Sequence, residues 1–351
     1  MRRKRITLYH LADQLGLTIQ TVSKALRGHP GMSEQTRSEV VKLARELGYL
    51  TKDQKQSLSH DRISPYPVMQ RRFVLVQNEN SLNFNRLLLQ GLHERFMEFG
   101  HKVQPVLLPP GLREAEFEEW AEARELHYAE GMFIAPRMGG DFLEQKLLEV
   151  KIPRILLNFP PPESKVDSVI WDVYEAMHQS VRHLLRLGHK RIMYVGDTES
   201  QRGFALRWQA FCEAMKDGGL EVDPEHHCRH RGGLSQSWLK DFRKLYVSTS
   251  PTAIICGIDE ETAAVYYELQ RLEVEVPRKC SMIAIVNEQT DELPLCSRPM
   301  LLIKETGYRA ADRMLWRIAN PQLPYEHIRL RGDFVQGNTT APATLSISDM
   351  G

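Results

Sequence analysis

No apolar run in the 351 residues approaches the roughly 18 needed to cross a bilayer, so no membrane-spanning protein is expected. The basic start, Met1-Arg2-Arg3-Lys4-Arg5, is not followed by an apolar segment before Asp13 and Gln14, which argues against a signal peptide and for a cytoplasmic protein. Cysteine is sparse. Cys212, Cys228, Cys256, Cys280 and Cys296 are odd in number, far apart and free of any C-x-x-C pair, so neither a disulfide frame nor a zinc finger is implied. Also missing are a glycine-rich phosphate loop, a G-x-S-x-G elbow and an H-E-x-x-H helix. With no nucleophile or acid–base pair to place, no enzyme and no cofactor are expected. The one dense group of ligand-type side chains, His226-His227-Cys228-Arg229-His230, has no standard metal spacing and follows a turn at Asp223-Pro224, so no metal site is expected either.

A strong net charge is lacking too, but the formal +1 hides an asymmetry. Residues 1–58 carry eleven Lys/Arg against five Asp/Glu, whereas the remainder is net acidic. A basic head on a neutral body fits a nucleic-acid module on a carrier. Within the head, Leu8, Leu11, Ala12 and Leu15, then Leu17, Val22, Ala25 and Leu26, are spaced as two short helices interrupted at Gly16. Thr7 and Thr18 stand where N-caps belong, and Gly16 can adopt the left-handed conformation that ends a helix. Ser33-Glu34-Gln35-Thr36 announces a third helix, which runs through Val40, Val41, Ala44 and Leu47 to Gly48.

The second helix turns Val22, Ala25 and Leu26 inward and presents Ile19, Gln20, Thr21, Ser23 and Lys24 outward. Gln20 can pair with adenine, Lys24 can donate to guanine, Ile19 can meet a thymine methyl, and the hydroxyls suit phosphate oxygens. A helix-turn-helix is thereby predicted. The stretch from Ile6-Thr7 to Leu47-Gly48-Tyr49, with Thr21-Val22-Ser23-Lys24-Ala25-Leu26 inside it, resembles the head of the LacI/GalR family of transcriptional regulators. The resemblance implies base reading by Ile19, Gln20 and Lys24, and phosphate contact by Thr7, Thr21, Ser23 and the segment from Arg27 to Ser33, beside the capping Thr18. It also implies double-stranded operator DNA as partner, and a palindrome read by a homodimer or tetramer. Where the family usually has arginine this chain has Lys24, which lacks the planar two-donor fork. The segment after Tyr49 lacks the Pro, Asn and Arg of the family's hinge, although Leu58 stands where a leucine would wedge into the minor groove.

From Arg72 onward short β-rich runs alternate with amphipathic helices, the pattern of parallel sheets covered on both faces. Nearly ten strands are too many for one lobe. The expected fold is therefore an all-α helix-turn-helix head followed by an α/β core of two doubly wound lobes, which the resemblance makes periplasmic-binding-protein-like. The expected boundaries are a head with hinge segment at 1–58, a linker at 59–71, a two-lobed unit at 72–340 and a tail at 341–351. One lobe is expected from about 72–160 with 290–320, the other from about 161–289 with 321–340, with crossings near 159–164, 287–292 and 319–324. Helices near 84–99 and 305–318 are expected on the dimer surface.

Ligands of such sheets sit at the carboxyl ends of the strands. Asn78, Asn80, Ser81, Asn83 and Phe84 follow the first strand, and Asn158 ends another. The resemblance adds Arg207 as a clamp on an effector that is a sugar, a nucleobase or another small molecule. Asp259 opens a helix with Glu260 and Glu261, where a carboxylate caps free N–H groups, and is carried as a candidate effector residue of structural character. Ile258 and Val286 replace polar residues of sugar-responsive relatives, which predicts a non-standard effector or a degenerate pocket. The alternative reading is a solute-binding protein without a DNA role. The head opposes it.

Overall fold

The computed structural model describes residues 6–26, 32–47, 49, 71–138, 141–230, 235–286 and 288–343. The head consists of α1 (Leu8–Leu15), α2 (Ile19–Leu26) and α3 (Glu34–Leu47). Gly16 closes α1 at φ 63°, and the Leu17 amide returns to the Ala12 carbonyl (2.9 Å). The Thr18 hydroxyl accepts the Thr21 N–H (3.1 Å), as expected, and Ser33 does the same for Thr36 (3.1 Å), whereas the Thr7 hydroxyl meets His10 Nδ1 (2.6 Å). Leu11, Ala12, Val22, Ala25, Val40 and Ala44 are buried together as a separate small core.

The body contains β1 (Arg72–Asn78), α4 (Leu82–Glu98), β2 (Lys102–Leu108), α5 (Phe117–Ala123), β3 (Gly131–Ile134), α6 (Asp141–Glu149), β4 (Arg154–Leu156), β5 (Asp167–Trp171), α7 (Val173–Arg186), β6 (Ile192–Val195) and α8 (Arg202–Asp217). It continues through α9 (Gln236–Thr249), β7 (Ala253–Cys256), α10 (Asp259–Arg271), β8 (Ser281–Ala284), β9 (Arg298–Pro299), α11 (Ile303–Ala319), β10 (His327–Leu330) and β11 (Phe334–Val335). The first sheet has the order β10-β5-β4-β3-β1-β2, all parallel. The second has the order β6-β7-β8, also parallel, beside a small antiparallel β9–β11 pair. Strands buried on both faces read as unbroken apolar runs, such as Phe73-Val74-Leu75-Val76.

The sheet pairing corrects the expected crossings. Both β5 and β10 belong to the first sheet, so the chain changes lobe between β5 and α7, between β9 and α11, and between β10 and β11. The expected crossing near 159–164, with prolines at 160–162, is a loop that joins two strands of one sheet, because proline marks a loop without saying what it connects. The segment 113–126 holds a short 3-10 turn and α5.

The first lobe is tied together by packing and by charge. Helices α4 and α11 lie against each other: a Cβ on Gly91 would run into the Lys304 carbonyl, and one on Gly307 into that of Leu88. The facing sides of these helices are thus consumed inside the chain, leaving their outer sides for any dimer surface. Where α11 meets the sheet edge, fully buried Asp167 accepts from Arg313 Nε (2.9 Å), Arg317 Nε (2.5 Å) and the Glu326 amide (2.9 Å). Arg317 also donates to the carbonyls of Leu323 (2.8 Å) and Pro324 (2.8 Å), pinning the loop before β10.

Candidate nucleic-acid interface and ligand cleft

On α2 the 3.6-residue period separates Val22 and Ala25, which are buried, from Ile19, Gln20 and Lys24, which are exposed. Thr21 and Ser23 are half-buried at the margins, and Thr7 and Thr18 are exposed at the two helix starts. An exposed Ile19 beside an amide and an amine is an apolar and hydrogen-bonding strip without a partner among the described residues. Its width is that of a helix, which the major groove admits. The Thr7 amide donates to His10 Nδ1 (3.3 Å), fixing the first turn of α1. Tyr9, not singled out from the sequence, projects from the same helix with 65% of its surface exposed. Arg27 and Leu58, together with the hinge and the linker to residue 70, lie outside the described residues.

Three of the expected effector residues meet at one cleft. Phe84 heads α4, Asn158 follows β4, and Arg207 lies on α8; all line it. The other three are placed differently. Asn78 ends β1 and is not among the lining residues, Asn80 falls in the turn 79–81, and Asp259 stands in the first turn of α10, where a carboxylate suits the free N–H groups. Ile258 and Val286 are buried, in keeping with their apolar character.

Sequence reasoning missed Arg137, Trp171 and Phe204 in the cleft wall. Arg137 follows β3 in the way Asn158 follows β4, so the rule that ligands sit past strand ends should have included it. Its backbone is left-handed at φ 60°, an unfavourable state for a side chain-bearing residue. Its guanidinium lies 4.1 Å from the Phe84 ring centre and 5.3 Å from that of Phe204, and it bonds the Glu260 carboxylate on α10. Two more ion pairs cross from lobe to lobe, Arg86 with Glu288 and Arg202 with the buried Glu144 (2.5 Å).

Arg207 is 5% exposed and donates to the Gly257 carbonyl, while its Nε has no partner. Burial pulls its guanidinium down to about 10, against the pull of Tyr194, and nearby Arg137 adds to the lowering. The Trp171 Nε1, also buried, is unpartnered as well. Buried donors without acceptors are costly in a finished core and ordinary in a ligand site.

Within the histidine cluster His227 has a structural role. Among the described residues no three His, Cys, Asp or Glu side chains gather as a metal site. His227 Nδ1 accepts the Tyr194 amide (3.0 Å) between α8 and β6, and burial, with His226 and Arg229 adding to it, lowers the ring to about 4 from 6.5. A neutral ring is thus required, so the stability it supports is complete above pH 6.5 and lost as pH falls toward about 4. Allowing for the ring's partial exposure, the loss should be roughly 1–3 kcal/mol. Denaturant midpoints between pH 7 and 4.5 check this: the parent should weaken more steeply than His227→Gln, and parallel curves would refute it.

Among the described residues no helix is long and apolar enough to cross a membrane. Residues 7–52 match the profile of the bacterial regulatory proteins of the lacI family, and residues 181–340 that of the periplasmic binding protein-like domain. The chain is 25% identical over 352 residues to the HTH-type transcriptional regulator AglR of Rhizobium meliloti (strain 1021), covering 96% of this chain and 95% of that one. It is 24% identical over 331 residues to the HTH-type transcriptional repressor CytR of Escherichia coli (strain K12), covering 92% and 91%. Two solved structures share the fold. The lac repressor dimer bound to operator and the anti-inducer ONPF superposes with a TM-score of 0.65 at 18% identity, covering 96% of this chain and 100% of that one. The complex of transcriptional regulator CelR with cellobiose gives 0.65 at 20%, covering 95% and 100%.

Proposed function

The chain belongs to the LacI family of bacterial regulatory proteins, and from that membership we propose a cytoplasmic repressor that binds a palindromic operator as a dimer and answers to a small molecule in the interlobe cleft. It is a DNA-binding transcriptional regulator, not an enzyme. The observation that carries the reading is the exposed Ile19, Gln20 and Lys24 strip on a capped, independently packed α2. In this reading Ile19, Gln20 and Lys24 meet base edges, while Thr7, Thr18, Thr21 and Ser23 meet phosphates, with Arg27 and Leu58 joining from the neighbouring segments. The cleft between the lobes holds the effector against Phe84, Asn158 and Arg207, and a ligand that favours one lobe arrangement changes operator affinity by the same factor that operator changes its own.

Selection of bound duplexes from a random pool at modest ionic strength is the direct test. A palindrome should be recovered. The logarithm of its affinity should fall linearly with the logarithm of salt, with a slope of about −0.9 for each phosphate neutralised. Folded protein that enriches no palindrome would overturn the assignment.

A further inference from the structure

The cleft wall is one-sided in its chemistry. Its lining residues include two guanidiniums, those of Arg137 and Arg207, and an indole N–H, and they include no Asp or Glu. The contrast with the rest of the body is sharp: Arg313 and Arg317, buried to a similar degree, share the Asp167 carboxylate, whereas no carboxylate bonds Arg207. A buried cation that bonds no carboxylate among the described residues, and feels Glu260 and Asp259 only at a distance, is an expensive arrangement that a bound anion relieves. Arg207 Nε and Trp171 Nε1 are both donors waiting for an acceptor, which a neutral polyol supplies weakly and an anionic oxygen supplies well.

The space tells the same story. The cleft has a cavity volume of only about 30 Å³, enough for about two waters. Arg137 is the obstruction. It reaches in between Phe84 of one lobe and Phe204 of the other, from a left-handed backbone, and is held there by Glu260. An occupant as large as a sugar ring needs Arg137 to swing aside or the lobes to part, and an occupant that bonds Arg137 takes over the role of Glu260.

We propose that the effector is an anion, a carboxylate or phosphate carried on a ring-sized organic body, and that its acidic group displaces Glu260 from Arg137 while accepting from Arg207. The proposal rests on the reading of this cleft as the effector site. The ring of the ligand takes the space between Phe84 and Phe204 that the guanidinium vacates. Binding therefore breaks one ion pair that joins the lobes and leaves Arg86–Glu288 and Arg202–Glu144 in place, so the signal to the head begins as a local change in how the lobes are held.

Thermal unfolding of the full chain at constant ionic strength tests this, with chloride replaced in separate arms by inorganic phosphate and by glucuronate, and with glucose as the neutral control. At least one anion should raise the parent's Tm by several degrees, Arg207→Met should lose that rise, and glucose should do nothing; the arm that responds tells phosphate from carboxylate. Should Arg207→Met not fold, Arg137→Met, whose side chain is partly exposed, carries the same comparison. Equal rises in parent and variant, no rise in either anion arm, or a larger rise with glucose would overturn the proposal. Operator binding followed in the same samples separates the two readings. A neutral compound that shifts Tm and releases operator removes the anion and keeps the regulator, whereas a parent that binds no operator removes the regulator reading itself.

Discussion

Asp167→Ala should lower the stability of the two-lobed unit by about 3–5 kcal/mol, because it strands the buried Arg317 guanidinium without a counter-charge and leaves buried Arg313 only the exposed carboxylate of Glu326. Asp167 is wholly buried and takes hydrogen bonds from Arg313, Arg317 and the Glu326 amide, so no water can replace it without reopening the sheet edge. At roughly 2–4 °C per kcal/mol for a unit of this size, the midpoint should fall by about 10 °C. Asp167→Asn should cost less, since an amide oxygen still accepts from one arginine. The exposed pair Arg113–Glu116 is the control: Arg113→Ala should leave the midpoint where it was, because solvent screens that pair. Calorimetry of the three variants reads the result directly, and an Asp167→Ala midpoint equal to the parent's would show that the cluster adds nothing. A second readout is local. Arg317 holds the carbonyls of Leu323 and Pro324, so amide exchange in the loop before β10 should speed up before the rest of the lobe does.

Gln20→Ala should weaken the selected operator by about 1–3 kcal/mol in each half-site, hence roughly 30-fold or more on the palindrome. The loss should be confined to the cognate sequence, with binding to random duplex barely changed, since Gln20 is exposed and supports no packing in the head. Competition with operators altered symmetrically at one base pair locates the contact: the variant should be indifferent at one position and discriminate normally at the others. Lys24→Arg should act in the opposite direction, adding the planar fork that reads guanine with two donors. Uniform weakening of cognate and random duplex alike by Gln20→Ala would move this residue from the bases to the backbone.

The head was almost fully readable from its residues because everything that shapes it is local. Thr18, Gly16 and Ser33 act within four residues of themselves, and the inward positions Leu11, Val22 and Val40 follow one period. In the body the strands were legible where they form apolar runs, as at 73–76 and 253–256. Helix α9 was not anticipated, although Ser235 caps it by accepting the Trp238 N–H (3.3 Å), a signal overlooked because the preceding Gly-Gly pair reads as loop. The lobe crossings failed for a different reason: they depend on which strands pair, and no property of residues 159–164 carries that information. The cleft was half legible. Phe84, Asn158 and Arg207 followed from strand ends and from resemblance, but the partners that decide its chemistry are distant in the chain. Arg137 and Glu260 are 123 residues apart, and Arg86 and Glu288 are 202 apart. Each of these side chains looks like an ordinary solvated charge until the lobes are placed together.

The head's own core has a consequence for how this protein fails. Among the described residues six small or medium apolar side chains are buried in it, with half-buried ones such as Leu15, Leu26 and Leu47 around them, and none is shared with the large clusters of the body. So small an interior leaves little margin, and warming or a one-methyl trim at Leu11 or Val40 should melt the reading surface while the remainder stays intact. Damage to this molecule would then show first as a target gene that no longer answers, in a cell where the sensor still fills with its signal and has nothing left to tell.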